Sequence, residues 1–355
     1  MNHNHESSIR RRAKPVAPSR PTIKDVASRC GVHPSTVSRA LSPAMSHLVA
    51  DDVAKQIRAA AAALGYRPNV TAAGLRTGRS GLVGVLAPDI ADPGFPPVLG
   101  GVTEALHKAG YATIVVDVGP HGSPVELVDR LIARGVDGLV LATVSLHDPV
   151  IEYCIGAGVP AVLVIRTDAG KLVPSVVSDD EAGMGLAVDH LIALGHRHLG
   201  HVAGPQDTST GALRRAGFEA GLAQAGVPAQ EIAVEAAPAY TREAGRAAAL
   251  RLLERKPDLT AIVAANDLLA LGVYDALAAR GLNCPKDVSV VGHNDMPYVD
   301  MLSPPLTTVR IAQREMGDKA ARLLLAKISD PEARHDHIVL APELIARGST
   351  ASPRR

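Results

Sequence analysis

Arg39 stands four residues after Ser35 and one after Ser38, in the stretch TIKDVASRCGVHPSTVSRAL that begins at Thr22. On a helix, residues four apart share a face. An arginine flanked there by small hydroxyl residues suits the major groove of DNA. Its guanidinium can bond guanine O6 and N7, while Ser35, Thr36 and Ser38 can reach phosphates. A second set of polar residues lies far along the chain. Asp89, Arg166, Asn266, Asp267, His293 and Asn294 fall at or just past the ends of strand-like runs, and Arg214 opens the helical pattern after residues 198–204. In open α/β sheets ligands sit at the carboxyl ends of strands. An N-cap or structural hydrogen bond is the competing role, preferred for Asp89 and Asp267. Ligand contact is preferred for Arg214 and Asn294.

Catalysis finds less support. G-x-S-x-G, the P-loop and G-x-G-x-x-G are all absent, so an enzyme built on this body lacks a nucleophile or base constellation. His196, His198 and His201, alternating around a strand start, mimic a metal cluster in spacing, but neither metal nor cofactor is expected. Cys30, Cys154 and Cys284 form no CxxC, which points to reduced thiols in a cytoplasmic protein. No run of about 18 apolar residues occurs, so no membrane span is expected. The opening MNHNHESSIRRRAKPVAPSR is basic but lacks the apolar core of a secretory signal. Residues 1–21 read as a disordered basic arm.

The elements that position Arg39 can be read residue by residue. Thr22 caps a helix with Asp25 as its capping-box partner, and Ile23, Val26 and Ala27 share its inner face. Gly31 suits the left-handed end of that helix. His33-Pro34 restarts a helix over about 34–41, since proline is favoured at the first helical position. Val32 and Val37 then take the hydrophobic-staple positions. A third helix follows over about 50–64, with Val53, Ile57, Ala60, Ala61 and Leu64 inward. Three such helices make a self-contained helix-turn-helix module rather than part of a larger core.

The charge agrees with this. Residues 1–79 carry thirteen Lys and Arg against four Asp and Glu, while the remaining residues carry 24 against 32. A basic head on an acidic body suits a polyanion partner, although a solvated basic tail explains residues 1–21 equally well. The body is built without Trp and with only two Phe, Phe95 and Phe218, so Ala, Val and Leu must fill its core. Apolar runs at 82–89, 112–118, 138–143, 160–165, 198–204, 231–236, 261–266 and 288–293 alternate with helical patterns. That order predicts two parallel, doubly wound sheets, hence two lobes.

TIKDVASRCGVHPSTVSRAL followed by LGYRPN at 64–69 resembles the headpiece of the LacI/GalR family of bacterial transcription regulators. The resemblance continues through GHRHLGHVAGP (195–205), LRRAGF (213–218), AANDLLALGV (264–273), DVSVVGHND (287–295) and PPLTTVR (304–310). It implies a headpiece over 22–67, a hinge over 68–79, a two-lobed periplasmic-binding-protein-like core over 80–348 and a flexible tail over 349–355. It also implies three crossings between the lobes, the later two near 305–309 and 335–340. In the family the hinge orders as a helix on operator DNA, which by position gives Leu75 the minor-groove wedge, with Ala72 and Arg76 beside it. His33 replaces the usual serine cap, a weaker and pH-sensitive start. Pro34 and Ser35 fill the base-reading positions with little to donate, leaving direct readout to Arg39.

For the cleft, the resemblance assigns effector contact to Arg214, Asn266 and Tyr240. Asn294 and Ile165 stand where many members carry Asp, the latter followed by Arg166. Gly94-Phe95 stands where two aromatics are common, and His293 replaces a usual Tyr. The effector is therefore either poorer in hydroxyls or anionic and met by Arg166 and Arg214. A neutral sugar held by other groups, a purine, or no effector at all stay open. The function implied is an effector-gated repressor of catabolic or transport genes, binding a pseudo-palindromic operator as a homodimer. The rivals are a ligand-binding protein or an enzyme of similar core.

Overall fold

The structure, a computed structural model, describes residues 21–42, 45–67, 78–119, 122–228, 232–334 and 336–354. The chain divides into two compact units, Met1–Gly78 and Arg79–Arg355.

The first unit holds α1 (Ile23–Cys30), α2 (Pro34–Leu41), a 3-10 turn (Ser46–Leu48) and α3 (Asp51–Leu64). Asp25 Oδ2 accepts the Thr22 amide at 2.7 Å and the Thr22 hydroxyl at 2.8 Å, which fixes the start of α1. These bonds hold the Asp25 carboxyl below its ordinary range. Gly31 takes the left-handed conformation, φ 65°, and lets the Val32 amide reach the Ala27 carbonyl at 3.1 Å. His33 does cap α2, through Nδ1, which accepts the Ser35 amide at 3.3 Å. Val26, Ala27, Val37, Ala40, Ala54, Ile57, Ala60 and Ala61 form the buried core, with Ile23, Val32, Val53 and Leu64 at its edge. Ala72, Leu75 and Arg76, like residues 1–20 of the arm, lie outside the described residues.

The strands of the second unit are β1 (Leu82–Ala87), β2 (Ala112–Asp117), β3 (Gly138–Leu141), β4 (Ala161–Val164), β5 (Ser175–Ser178) and β6 (Leu199–Ala203). They continue with β7 (Ala233–Ala236), β8 (Ala261–Ala264), β9 (Ser289–Asn294), β10 (Thr307–Arg310), β11 (His337–Leu340) and β12 (Glu343–Ile345). The helices are α4 (Pro96–Lys108), α5 (Pro124–Ala133), α6 (Pro149–Gly156), α7 (Asp180–Ala193), α8 (Ser209–Gln224), α9 (Arg242–Arg255), α10 (Asp267–Ala279) and α11 (Gln313–Ser329).

Two six-stranded sheets result, ordered β11-β5-β4-β3-β1-β2 and β12-β10-β9-β8-β6-β7. The paired strands are parallel, except that β12 runs antiparallel to β10. Each sheet is covered on both faces, which is why its strands read as unbroken apolar runs. In the first lobe α4 and α11 cover one face and α5 and α6 the other. In the second, α9 and α10 oppose α7 and α8. Small residues let the helices approach closely. A Cβ on Gly101 would collide with the Arg314 carbonyl, and one on Gly317 with the Val98 carbonyl.

The chain crosses between lobes after β5, after β10 and after β11. The later two crossings fall at 311–312 and 341–342, beyond the positions read from sequence, because residues 307–310 and 337–340 are themselves laddered strands. The tail also differs from expectation over residues 349–351. Ser349 Oγ donates to the Val290 carbonyl at 2.6 Å and accepts the Thr307 amide at 2.8 Å. The Ala351 carbonyl meets His196 Nε2 at 2.8 Å. The buried polar groups of β9 and β10 need partners, and this segment supplies them. Among the described residues, no helix is long and apolar enough to cross a membrane.

Candidate functional site

Phe95, Arg166, Arg214, Tyr240, Asn266 and Asn294 line one cavity between the two lobes, about 520 Å³ of empty space, part of it open solvent. Phe95 immediately precedes α4 and Arg166 follows β4, both in the first lobe. The second lobe brings Arg214 from α8, Asn266 at the start of α10, Asn294 at the end of β9, and Tyr240 just before α9. The backbone is held in unusual conformations there. Ile165 has φ 71° and Asn294 φ 107°, in a region that a β-branched residue seldom enters.

Arg214 is fully buried. Its Nε bonds Asp180 Oδ1 at 2.8 Å and its Nη1 the Ala265 carbonyl at 2.6 Å, while Nη2 has no hydrogen bond among the described residues. Burial works against the cation, and Asp180 together with Tyr240 and Asp267 more than offsets it, raising the guanidinium above its ordinary value. Asn266 spends Oδ1 on the Leu269 amide at 2.9 Å, capping α10 and keeping its NH₂ group for other use. The Tyr240 hydroxyl meets Thr210 Oγ1 at 3.0 Å, and its ring packs so closely on Gly204 that a Cβ there would strike it. The Arg166 guanidinium lies 5.9 Å from the centre of that ring. Burial is the chief influence on Arg166 and lowers its basicity.

Three further candidates have structural partners. Asp89 Oδ1 accepts the Ala91 amide at 2.7 Å in a turn. Asp267 accepts the Met296 amide at 2.7 Å and the Thr308 hydroxyl at 2.6 Å, and ties β10 to α10. His293 is buried behind the cavity, its Nδ1 3.1 Å from Asn294 Oδ1 and its Nε2 4.0 Å from Asp180. Burial, then the nearby Arg214, hold His293 well below its ordinary value and so neutral. The histidines of 196–201 diverge: His196 bonds Thr260 and Ala351, His198 pairs with Asp258, and His201 stacks on Phe218.

Asp92, Thr210 and Gln313 also line the cavity and were not singled out in the sequence. A Cβ built on Gly94 would stand 3.2 Å from Asp92 Oδ1, 3.6 Å from Gln313 Nε2 and 3.8 Å from Asn294 Nδ2, so three polar tips gather at one point. Burial raises the Asp92 carboxyl, against the Gly94 amide that bonds Oδ1 at 2.8 Å. Asp92-Pro93-Gly94 signals a turn in sequence, and nothing local marks it as cavity lining. Gln313 acquires that role only once the second crossing is placed.

In the first unit, α2 turns Val37 and Ala40 into the core and leaves Ser35 and Arg39 exposed, with Pro34, Thr36 and Ser38 half-buried beside them. The Arg39 side chain has no hydrogen bond or ion pair among the described residues. A helix face carrying a free guanidinium beside hydroxyls can read base edges, and the cleft can hold a polar ligand.

A helix-turn-helix unit followed by a two-lobed core with a cleft is the architecture of a DNA-binding transcription regulator. Comparison with known proteins agrees. Residues 22–69 match the family described as bacterial regulatory proteins, lacI family, and residues 188–350 match the periplasmic binding protein-like domain. The HTH-type transcriptional regulator MalR of Streptomyces coelicolor is 38% identical over 340 residues, 93% of this chain and 96% of its own length. A structure of the transcriptional regulator CelR in complex with cellobiose is 31% identical, with TM-score 0.71, over 93% of this chain and 100% of that one. The lac repressor dimer bound to operator and the anti-inducer ONPF is 28% identical, with TM-score 0.82, over 94% and 100%. The chain therefore belongs to the lacI family of bacterial transcriptional regulators. It is a DNA-binding regulator and not an enzyme.

Proposed function

We propose that the chain represses catabolic or transport genes, and that a sugar or sugar derivative in the interlobe cleft sets its affinity for operator DNA. The observation that carries this reading is the convergence of Phe95 and Arg166 from one lobe with Arg214, Tyr240, Asn266 and Asn294 from the other on a single cavity. Amides, guanidiniums, a carboxylate and aromatic rings are the groups that hold a polyhydroxylated ligand. A ligand touching both lobes binds one interlobe arrangement better than another and shifts the balance between them. The named ligands of relatives support the sugar class: cellobiose for CelR, and ribose for a LacI family regulator of Enterococcus faecium that is 29% identical over 77% of this chain.

On the DNA side, Arg39 reads a guanine, and His33, Pro34, Ser35, Thr36 and Ser38 set α2 in the groove. Leu75 wedges the minor groove with Ala72 and Arg76 alongside. A two-fold dimer of this chain, acting in the cytoplasm, reads a pseudo-palindromic operator. Nuclease footprinting on DNA upstream of the chain's own gene tests this half of the reading. The expected result is a two-fold-symmetric protected site. Protection of an asymmetric site, or of no upstream palindrome, contradicts it.

A further inference from the structure

Arg166 lines the cleft without an ion pair, and the Asp207 and Asp92 carboxylates act on it only from longer range. Its Nη1 makes one long bond, 3.4 Å, to the Thr143 carbonyl, and the guanidinium lies 5.9 Å from the centre of the Tyr240 ring. No carboxylate among the described residues comes within ion-pairing distance of it. The other sequestered arginines of this unit differ. Arg214 holds Asp180 at 2.8 Å, and Arg347 holds Asp295 at 2.7 Å. Arg166 is half-buried, and a guanidinium partly drawn out of water without a paired anion is costly. A carbonyl and a ring face supply partial charge but no anion.

Asp92, the carboxylate of the cavity wall, does not fill that place. It spends Oδ1 on the Gly94 amide at 2.8 Å and gathers with Gln313 and Asn294 around Gly94. The cleft thus has one polar group of a carboxylate and two amides, which takes hydroxyls as donor and acceptor. Its other charged lining is cationic: Arg166 unpaired, and Arg214 with Nη2 unused. A planar guanidinium fork matches the two oxygens of a carboxylate or phosphate.

We infer that the ligand of this cleft is an acidic sugar derivative, its anionic group held by Arg166 and its hydroxyls by Asp92, Asn294 and Gln313. This rests on the reading of the cleft as the effector site. Carboxylate and phosphate share the chemistry that Arg166 recognises, and the ligand series separates them.

The test uses the full-length protein. Binding is measured by calorimetry for a matched series of aldoses and disaccharides, their uronic or aldonic acids, and their phosphate esters. The expected result is that at least one acid or ester binds about tenfold to a hundredfold more tightly than its neutral parent. Arg166→Gln loses that margin and Arg166→Lys keeps part of it. Which arm binds identifies the anion. Without ligand, Arg166→Gln melts no lower than the wild type, because an unpaired cation adds no stability. A lower ligand-free melting point makes Arg166 a structural tie between the lobes and overturns the inference. A neutral sugar bound equally by wild type and Arg166→Gln overturns it too, while the cleft keeps its role. Binding of no compound in the series removes both readings together.

Discussion

Asp267 and Arg39 show how differently single residues serve this molecule. Asp267 is sealed between α10 and β10, and burial pushes its carboxyl up to about 7 from the usual 3.8, against the two hydrogen bonds it accepts. The folded protein therefore holds that proton more tightly than the unfolded chain does. The resulting stability is complete below about 3.8 and is lost as pH rises through about 7. Asp267→Asn keeps the shape and removes the titration, so its melting temperature varies less with pH across that window. An unchanged slope in the variant assigns the pH dependence elsewhere. Arg39 is exposed and unpaired, so Arg39→Ala leaves stability nearly unchanged and costs about 1–3 kcal/mol of discrimination at one guanine of each half-site. Operator variants titrated against both proteins check this, and full discrimination by Arg39→Ala removes the assignment. Much of the cleft was legible at this scale. Arg166, Asn266 and Asn294 stand where strands end, Arg214 lies in the helix that follows one, and Phe95 and Tyr240 follow from the family resemblance. Asp92, Thr210 and Gln313 were not legible, because a turn residue, a hydroxyl in a first turn and a helix-opening amide gain their role only from convergence in space.

Among the elements, the pairing of α4 with α11 is the most exacting. With so few aromatic residues, these helices meet through Gly101 and Gly317, each set against backbone of the partner helix rather than a yielding side chain. Gly101→Ala must force the two helices apart. Overpacking of this kind costs about 1–3 kcal/mol, read as a lower urea midpoint with an unchanged slope. A midpoint equal to wild type means the helices are not in contact at Gly101. The headpiece helices were readable to within a residue, because Thr22, Gly31 and His33 mark their ends. Four strands were not. β5, β10 and β11 have four residues each and β12 three, and Ser175–Ser178 or Thr307–Arg310 carry too few apolar residues to stand out as runs. They become strands because neighbouring strands offer ladder partners, which is non-local information. The misplaced crossings and the segment at 349–351 have the same origin.

At the scale of the whole molecule, charge and function are divided alike. The surplus of positive charge lies before residue 80, and the larger unit is net acidic. DNA binding therefore releases counterions, and the logarithm of the affinity falls linearly with the logarithm of salt concentration. Affinity that is flat in salt contradicts a phosphate-dominated contact. The link between the units, residues 68–77, falls outside the described residues. The proposed gating requires that a ligand which changes the arrangement of the lobes also changes DNA affinity.

Fluorescence anisotropy of a labelled operator, titrated with the full-length protein at fixed salt, measures that link directly. The titration is run without ligand and with a compound shown by calorimetry to bind the cleft. A change of about tenfold or more in operator affinity is expected, a coupling of about 1.4 kcal/mol. Equal affinity in the two titrations, with the cleft saturated, contradicts the claim that the cleft governs the DNA.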